Sequence, residues 1–343
     1  MFRRFSWLCP PLPLIWTRYR RHAMHALVQH GYGGAEALSL ENGPVPEPGP
    51  GDIRVRVMAC GANASDWEFI RGYPFYARLA GGRVKGRILG SDVCGTVDKI
   101  GPGVSGLSIG QTVLADTFGH FGGFAEFCCA PARLWRPVPQ GLDPVIAAAL
   151  PQSGVIALMG VADRVRPGMR VLLNGAGGGS GPLALQMAVA AGAEVTAVDN
   201  ALKAPLLHRL GATRVIDYRA TDFAAEGQRY DHILDLWGTR SVRTIRRCLA
   251  PGGLYLLVGG PMARVVEFSF WGTAVSLLSG TKSTLLLAKQ GPERLPELMN
   301  RVLSGNLAPE IGEVAALEDA ALALSRMGAG QIAGKLVIRM AEA

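Results

Sequence analysis

Ile53, Val55 and Val57 alternate with Arg54 and Arg56. A period of two predicts a strand with one buried face and one wet face. Pro44, Pro46, Pro48 and Pro50 precede it as a stiff, extended lead-in. Apolar stretches at 93–100, 112–115 and 124–129 predict further short strands, separated by glycine turns such as Gly101-Pro102-Gly103. Short, irregular strands at this density suggest a partly open β-barrel. After Asp143 the pattern changes. Residues 144–150 are alanine-rich and read as helix. From there apolar runs at 171–174, 195–198, 214–217, 232–236 and 254–258 alternate with helical segments near 181–191, 201–210 and 239–249. Strands alternating with helices predict a parallel, doubly wound sheet, which binds ligands at its topological switch point. Residues 293–304 and 317–327 read as helices and 335–339 as a closing strand, with no internal repeat or low-complexity linker.

One turn in the second half carries chemistry. The run Arg170-Val171-Leu172-Leu173 leads into Asn174-Gly175-Ala176-Gly177-Gly178-Gly179-Ser180-Gly181, and a helix-prone segment follows. A strict G-x-G-x-x-G frame from Gly175 fails at Ser180; the frame that fits is Ala176-x-Gly178-x-x-Gly181. Strand, glycine turn and helix form the setting in which backbone N–H groups and a helix N-terminus hold a pyrophosphate. The next apolar run ends at Asp199. An acid there, roughly 20 residues on, accepts hydrogen bonds from an adenosine ribose.

Composition narrows the class. The 343 residues allow two domains, and 45 glycines with 49% hydrophobic residues suit a compact α/β protein. No apolar run reaches the length of a membrane span; the stretch 274–287 is broken by Ser, Gly and Lys. The six cysteines (9, 60, 94, 128, 129 and 248) show no C-x-x-C pair or regular spacing, and read as reduced cytoplasmic thiols. The net charge of +8 resembles a nucleic-acid signal, but Arg3, Arg4, Arg18, Arg20 and Arg21 supply +5 of it with no acid before Met24. The remaining 30 basic and 27 acidic residues nearly balance, with no basic stripe to follow a phosphate backbone. Two readings stand for residues 1–23: a transit-like or surface-binding segment, or a mis-assigned start with Met24 as the true one. Three prolines break any long amphipathic helix there, which favours the second.

From Met24 onward the chain resembles the medium-chain dehydrogenase/reductase superfamily, in its zinc-independent quinone oxidoreductase-like branch. The matching segments occur in order: Gly49-Pro50-Gly51-Asp52, Gly61-Ala62-Asn63-Ala64-Ser65-Asp66-Trp67, Leu89-Gly90-Ser91-Asp92-Val93-Cys94-Gly95, Ala148-Ala149-Leu150-Pro151, the glycine loop, Leu210-Gly211-Ala212, Val215-Ile216-Asp217-Tyr218 and Leu249-Ala250-Pro251-Gly252-Gly253. The resemblance implies an α/β fold. A GroES-like β-barrel catalytic domain (24–147 and 288–343) would flank a Rossmann domain (148–287), with 1–23 as an extension. It also implies hydride transfer from NADH or NADPH to a small-molecule substrate in the cleft between the domains, and a homodimer.

Two departures from the zinc alcohol dehydrogenase branch follow. Asn63 stands where that branch has its first cysteine ligand, and Gly90-Ser91-Asp92 where it has Gly-His-Glu. The resemblance therefore implies no zinc, and an easily reduced acceptor such as a quinone or an α,β-unsaturated carbonyl. Asn63 is a candidate donor to substrate or cofactor, or else a turn-capping residue. Tyr73 and Tyr76 either line the pocket, where Tyr73 could pass a proton, or anchor a loop. His120 is either a substrate contact or a surface histidine. Segments 67–86 and 262–290 are expected to be the pocket loops that select substrate. For the cofactor the resemblance adds Ser153, Tyr218, Val258, Gly259 and Lys335 to Ala176, Gly178, Gly179, Ser180, Gly181 and Asp199. Asp199 favours NADH because it repels a 2′-phosphate; Lys203 and Arg219 offer partial compensation, so NADPH stays possible. Two other readings remain: an alcohol dehydrogenase, against which the lost ligands argue, and a nucleotide-binding protein with little turnover.

Overall fold

A computed structural model describes residues 23–80, 82–287 and 291–341. The N-terminal segment 1–22, over which the two readings above divide, lies outside the described residues.

The first part of the chain is mostly β. Strands β1 (Ala23–Gln29) and β2 (Leu38–Pro44) form a hairpin, and β1 also pairs with β4 (Arg87–Ile88). The long strand β3 (Asp52–Gly61) is the spine of a second sheet with β5 (Asp92–Ile100), β6 (Thr112–Asp116), β7 (Phe127–Pro131) and β8 (Arg136–Pro137). Ile53, Val55, Val57 and Ala59 are buried, as the alternation requires, while Arg54 turns outward to Asp98 at 2.6 Å. Between β3 and β4 lie helices α1 (Ala64–Arg71) and α2 (Tyr76–Ala80). In α1, Asp66, Phe69 and Ile70 are buried at i, i+3 and i+4, which leaves Ala64, Glu68 and Arg71 on another face.

Helices α3 (Pro144–Ala148) and α4 (Pro151–Ala157) lead into the six-stranded parallel sheet. Its strands are β9 (Arg170–Asn174), β10 (Glu194–Asp199), β11 (Arg214–Asp217), β12 (Tyr230–Asp235), β13 (Leu249–Leu257) and β14 (Lys282–Leu285), in the order β11-β10-β9-β12-β13-β14. The order reverses at β9, so the crevice beyond its carboxyl end is the switch point. Helices α5 (Gly181–Ala190), α6 (Ala204–Arg209), α7 (Val242–Cys248) and α8 (Met262–Ser279) connect these strands. Val171, Leu172 and Leu173 are all buried, because β9 has a partner on each side and a helix layer on each face.

The chain then returns. Helix α9 (Leu295–Leu303) packs Leu295 and Leu298 into the core that holds Leu173, Leu183 and Leu234. Strand β15 (Ile311–Ala316), helix α10 (Ala320–Gly328) and strand β16 (Lys335–Arg339) follow, and the two strands complete the sheet built on β3, with β16 antiparallel to β3. Each buried Leu, Ile or Val in these cores contributes about 1.5–3 kcal/mol.

The expectation that 67–86 and 262–290 are loops needs correction. The first contains the end of α1 and all of α2; the second is an 18-residue helix and an edge strand. Residues 288–290 lie outside the described residues. Among the described residues no helix is long and apolar enough to cross a membrane.

Candidate active site

The glycine loop joins β9 to α5. Gly175 makes the turn, with φ at 83°, one position before the frame read from sequence. Gly181 permits close approach: a Cβ there would lie 2.2 Å from the Ala176 carbonyl oxygen. Ala176 and Gly181 are therefore packed inside the turn and do not line the cavity. Gly178, Gly179 and Ser180 do line it. A Cβ on Gly178 would meet nothing closer than 3.6 Å, and one on Gly179 would come within 3.0 Å of the Ser153 hydroxyl. Side chains would fill this cradle; glycine backbone leaves it open, and a dinucleotide pyrophosphate fits it.

Asp199, buried at the end of β10, braces the loop. Its carboxylate accepts the Gly177 N–H at 2.8 Å and the Asn200 N–H at 2.9 Å, and pairs with Lys203 Nζ at 3.2 Å. Asp199, Lys203, Val258 and Gly259 line the cavity. Tyr218 does not. Its N–H donates to the Asp199 carbonyl, but its ring is 48% exposed beside Arg219.

The cavity has a volume of about 830 Å³ and takes walls from both halves of the molecule. Ala64, Ser65, Trp67, Glu68 and Arg71 of α1 face it, opposite the glycine loop and Leu236, Trp237 and Leu295. Gln152 and Ser153 of α4 line it between the two. Tyr73 reaches its rim, 54% exposed. His120 is exposed and outside it. Of the expected pocket segment 262–290, Leu286 and Leu287 are the described residues that line this cavity.

Lys335, at the start of β16, is the junction. Its ammonium donates to Asn63 Oδ1 at 2.6 Å, Ser153 Oγ at 2.9 Å and Asp92 Oδ2 at 3.0 Å. The residue is 2% exposed. Sequence reading expected Lys335 to contact phosphate. Its three N–H bonds are already used, so it holds protein together instead. The bond to Oδ1 also fixes the Asn63 amide, and leaves Nδ2 buried with no hydrogen bond of ordinary length. Asn63 is the N-cap residue of α1, as its capping reading required, and Asp66 is its capping-box partner, whose carboxylate accepts the Asn63 N–H at 2.8 Å and the Gly90 N–H at 3.1 Å.

Asp66, Asp92 and Asp116 share this region with one lysine. Burial pushes Asp66 and Asp116 up to about 7. Burial also raises Asp92, and the Lys335 ammonium opposes that. A separate pair sits on the cavity wall: the Tyr76 hydroxyl donates to Glu68 Oε2 at 2.9 Å. Burial raises Glu68 to about 7, partly offset by that hydrogen bond.

Sequence reading passed over Glu68, Asp66 and Asp116. A carboxylate on a short helix ordinarily faces water, and the wall that buries Glu68 forms only in the tertiary structure. The visible signal was the spacing of Ala64, Glu68 and Arg71 once a helix is assumed.

Two family models match the chain: an alcohol dehydrogenase GroES-like domain over residues 49–140 and a zinc-binding dehydrogenase over residues 210–338. The chloroplast envelope quinone oxidoreductase homolog of Arabidopsis thaliana is 30% identical over 334 residues, covering 92% of this chain and 98% of its own. The chain belongs to the medium-chain dehydrogenase/reductase superfamily. Another superfamily relative, the quinone oxidoreductase of Pseudomonas aeruginosa, is 30% identical, with 90% of this chain and 97% of its own covered. The solved quinone oxidoreductase from Coxiella burnetii superposes with a TM-score of 0.80 at 27% identity, over 93% of this chain and 99% of that one. Superfamily members use nicotinamide cofactors, and membership makes this chain an oxidoreductase.

One matching model is named for zinc, and the residues here do not fit that ion. Asn63 Oδ1 and Asp92 Oδ2 both face a lysine ammonium, which would repel a divalent cation. Burial raises the Cys60 thiol well above its ordinary range and pushes Cys94 up to about 12, so neither is readily a thiolate ligand. Among the described residues no group of three His, Cys, Asp or Glu side chains is placed to hold a metal ion.

Proposed function

We propose that this protein reduces a quinone or an α,β-unsaturated carbonyl with NADH, without zinc. The observation that carries this reading is one cavity lined by the open glycine loop on one side and by Asn63 on the other. The Asn63 amide is locked by Lys335, and its buried Nδ2 makes no hydrogen bond of ordinary length, with the Asp92 carboxyl as its polar neighbour. A donor fixed before the reaction stabilises the charge that develops on a carbonyl oxygen. Trp67, Phe69, Phe118 and Trp237 supply apolar surface suited to a flat, conjugated acceptor. When bound, the reduced nicotinamide supplies the hydride; the protein's part is to hold, orient and polarise. Gly178, Gly179 and Ser180 would cradle the pyrophosphate, and Ser153, Val258 and Gly259 would flank the rest of the cofactor.

NADH is favoured because Asp199, at the end of β10, would face the adenosine ribose, and Lys203 is paired with it, so the lysine's charge is already committed. Anaerobic mixing of the protein with NADH and a panel of quinones and enones tests the activity. Fluorescence titration should give tighter binding of NADH than of NADPH, and Asp199→Ser should reverse that order by about tenfold or more. Tighter NADPH binding by the unaltered protein would sink the preference. Binding of NADH with no turnover of any acceptor would favour the nucleotide-binding reading instead. The family resemblance supports a homodimer, with β14 a terminal strand of the parallel sheet; light scattering in solution tests it.

A further inference from the structure

We propose that Glu68 is the acid that delivers the proton accompanying hydride transfer, and that the Tyr76 hydroxyl positions it. The inference rests on the reductase reading above and adds to it a residue and a step. Reducing a quinone or a conjugated carbonyl adds one hydride and one proton. Asn63 can polarise the acceptor, but an amide does not give up a proton at neutral pH. A proton donor must therefore come from elsewhere on the cavity wall.

The titratable groups lining the cavity can be compared. Lys335 has its three donors engaged, and losing a proton would leave Asp92 as an uncompensated buried charge. Asp199 and Lys203 pair with each other at the glycine-loop end. Tyr73 is exposed at the rim. Asp116 accepts the Phe118 N–H at 2.9 Å and faces the Asp92 cluster. Glu68 differs from all of these. Its carboxyl lies half-buried on the wall, and among the described residues it has one hydrogen-bond partner, the Tyr76 hydroxyl. That bond occupies Oε2 and leaves Oε1 to carry a proton. No cation forms an ion pair with it among the described residues. Of the charged groups near α1, Arg78 is held by the Gly72 carbonyl and the Tyr32 ring, and Arg326 on α10 pairs with Glu313. Arg71, Tyr73 and Asp116 line the same cavity. Burial raises Glu68 to about 7, which keeps a substantial protonated fraction at neutral pH.

The step balances. The substrate receives a hydrogen with two electrons from the reduced nicotinamide at its electrophilic carbon. The electron pair of the conjugated π system moves to the carbonyl oxygen. That oxygen takes the proton from Glu68, whose O–H bond breaks. The carboxylate left behind keeps the Tyr76 hydrogen bond, and its half-exposed side chain is reprotonated from water.

The test uses the full chain with NADH and the best acceptor of the panel. In the unaltered protein, kcat/KM should fall about tenfold per pH unit above pH about 7. Glu68→Gln should lower kcat at pH 6 by about 10²- to 10⁴-fold and abolish that limb, with NADH affinity by fluorescence within about twofold. Tyr76→Phe should move the limb to higher pH, because the hydroxyl holds the carboxyl pKa down. Asp116→Asn should keep the limb. Independently of turnover, the carboxyl signal of Glu68, from ¹³C-labelled protein and its Glu68→Gln control, should titrate near pH 7. The proposal is overturned by titration near the ordinary glutamate value of 4.5, or by full activity with an unchanged limb in Glu68→Gln. It is equally overturned if the limb vanishes in Asp116→Asn instead. Absence of turnover in the unaltered protein overturns this step together with the reductase reading, whereas turnover that ignores Glu68 overturns this step alone.

Discussion

Asp116 and Asp66 are buried carboxyls raised to about 7, and their effect on the protein is visible away from any reaction. Burial is the largest cause for both, so the native state holds protons that the unfolded chain releases. Between the ordinary carboxylate range near pH 4 and pH about 7, the folded protein binds more protons than the unfolded one. Stability from these groups is therefore complete below about 4 and is lost as pH rises through about 7. Urea unfolding of the unaltered protein should show stability falling across that window. Asp116→Asn, which keeps the shape without the charge, should flatten the fall; an unchanged slope would mean Asp116 is ionised in the native protein.

Helices α1 and α10 show how an element sets a residue's surroundings. They meet with almost no space between them: a Cβ on Gly328 would lie 2.1 Å from the Trp67 ring. Gly328→Ala must displace Trp67, which also lines the cavity. A loss of about 1–3 kcal/mol is expected, measured as a lower melting temperature, together with weaker acceptor binding. No change in either would show that α1 has room to shift. Of these two helices, α10 falls within the segment 317–327 read as helix, and α1 marks the limit of what the sequence makes legible. Strands β9 and β10 were readable because a parallel sheet buried on both faces leaves nearly continuous apolar runs. The segment 239–249 was readable as helix α7 by its spacing. Helix α1 was passed over because its core face is only Asp66, Phe69 and Ile70, and one of those three is an acid. Strand β2 exposes much of its length, so no alternation marks it. Helix α8 keeps no polar face to announce itself: Phe270 and Trp271 are 74% and 64% exposed while Phe268 is buried. At the site, Asp199 and the glycine loop were legible because local sequence order alone brings them together. Tyr76 was legible as a pocket candidate and lines the cavity; Glu68 was not, because its value comes from the wall that α1, α2 and the parallel-sheet half build jointly.

Across the whole molecule, one ammonium links distant parts of the chain. Lys335 on β16 bonds Asn63 before α1, Asp92 at the start of β5 and Ser153 on α4. Lys335→Met keeps much of the side-chain volume and removes the charge. It leaves Asp92 buried without a cation and should cost about 3–5 kcal/mol in urea unfolding. It should also free the Asn63 amide to rotate and so weaken acceptor reduction beyond the loss of stability. A variant as stable as the parent would show that Asp92 is protonated and needs no partner. The same junction sets an order of assembly. Strands β9 to β14 are contiguous in the chain, so that sheet can close while later residues are still on the ribosome. The sheet built on β3 cannot. Its neighbour β16 and the cation for Asp92 lie after β14 in the chain, so the half that carries Asn63 is finished only after the whole parallel sheet has been synthesised.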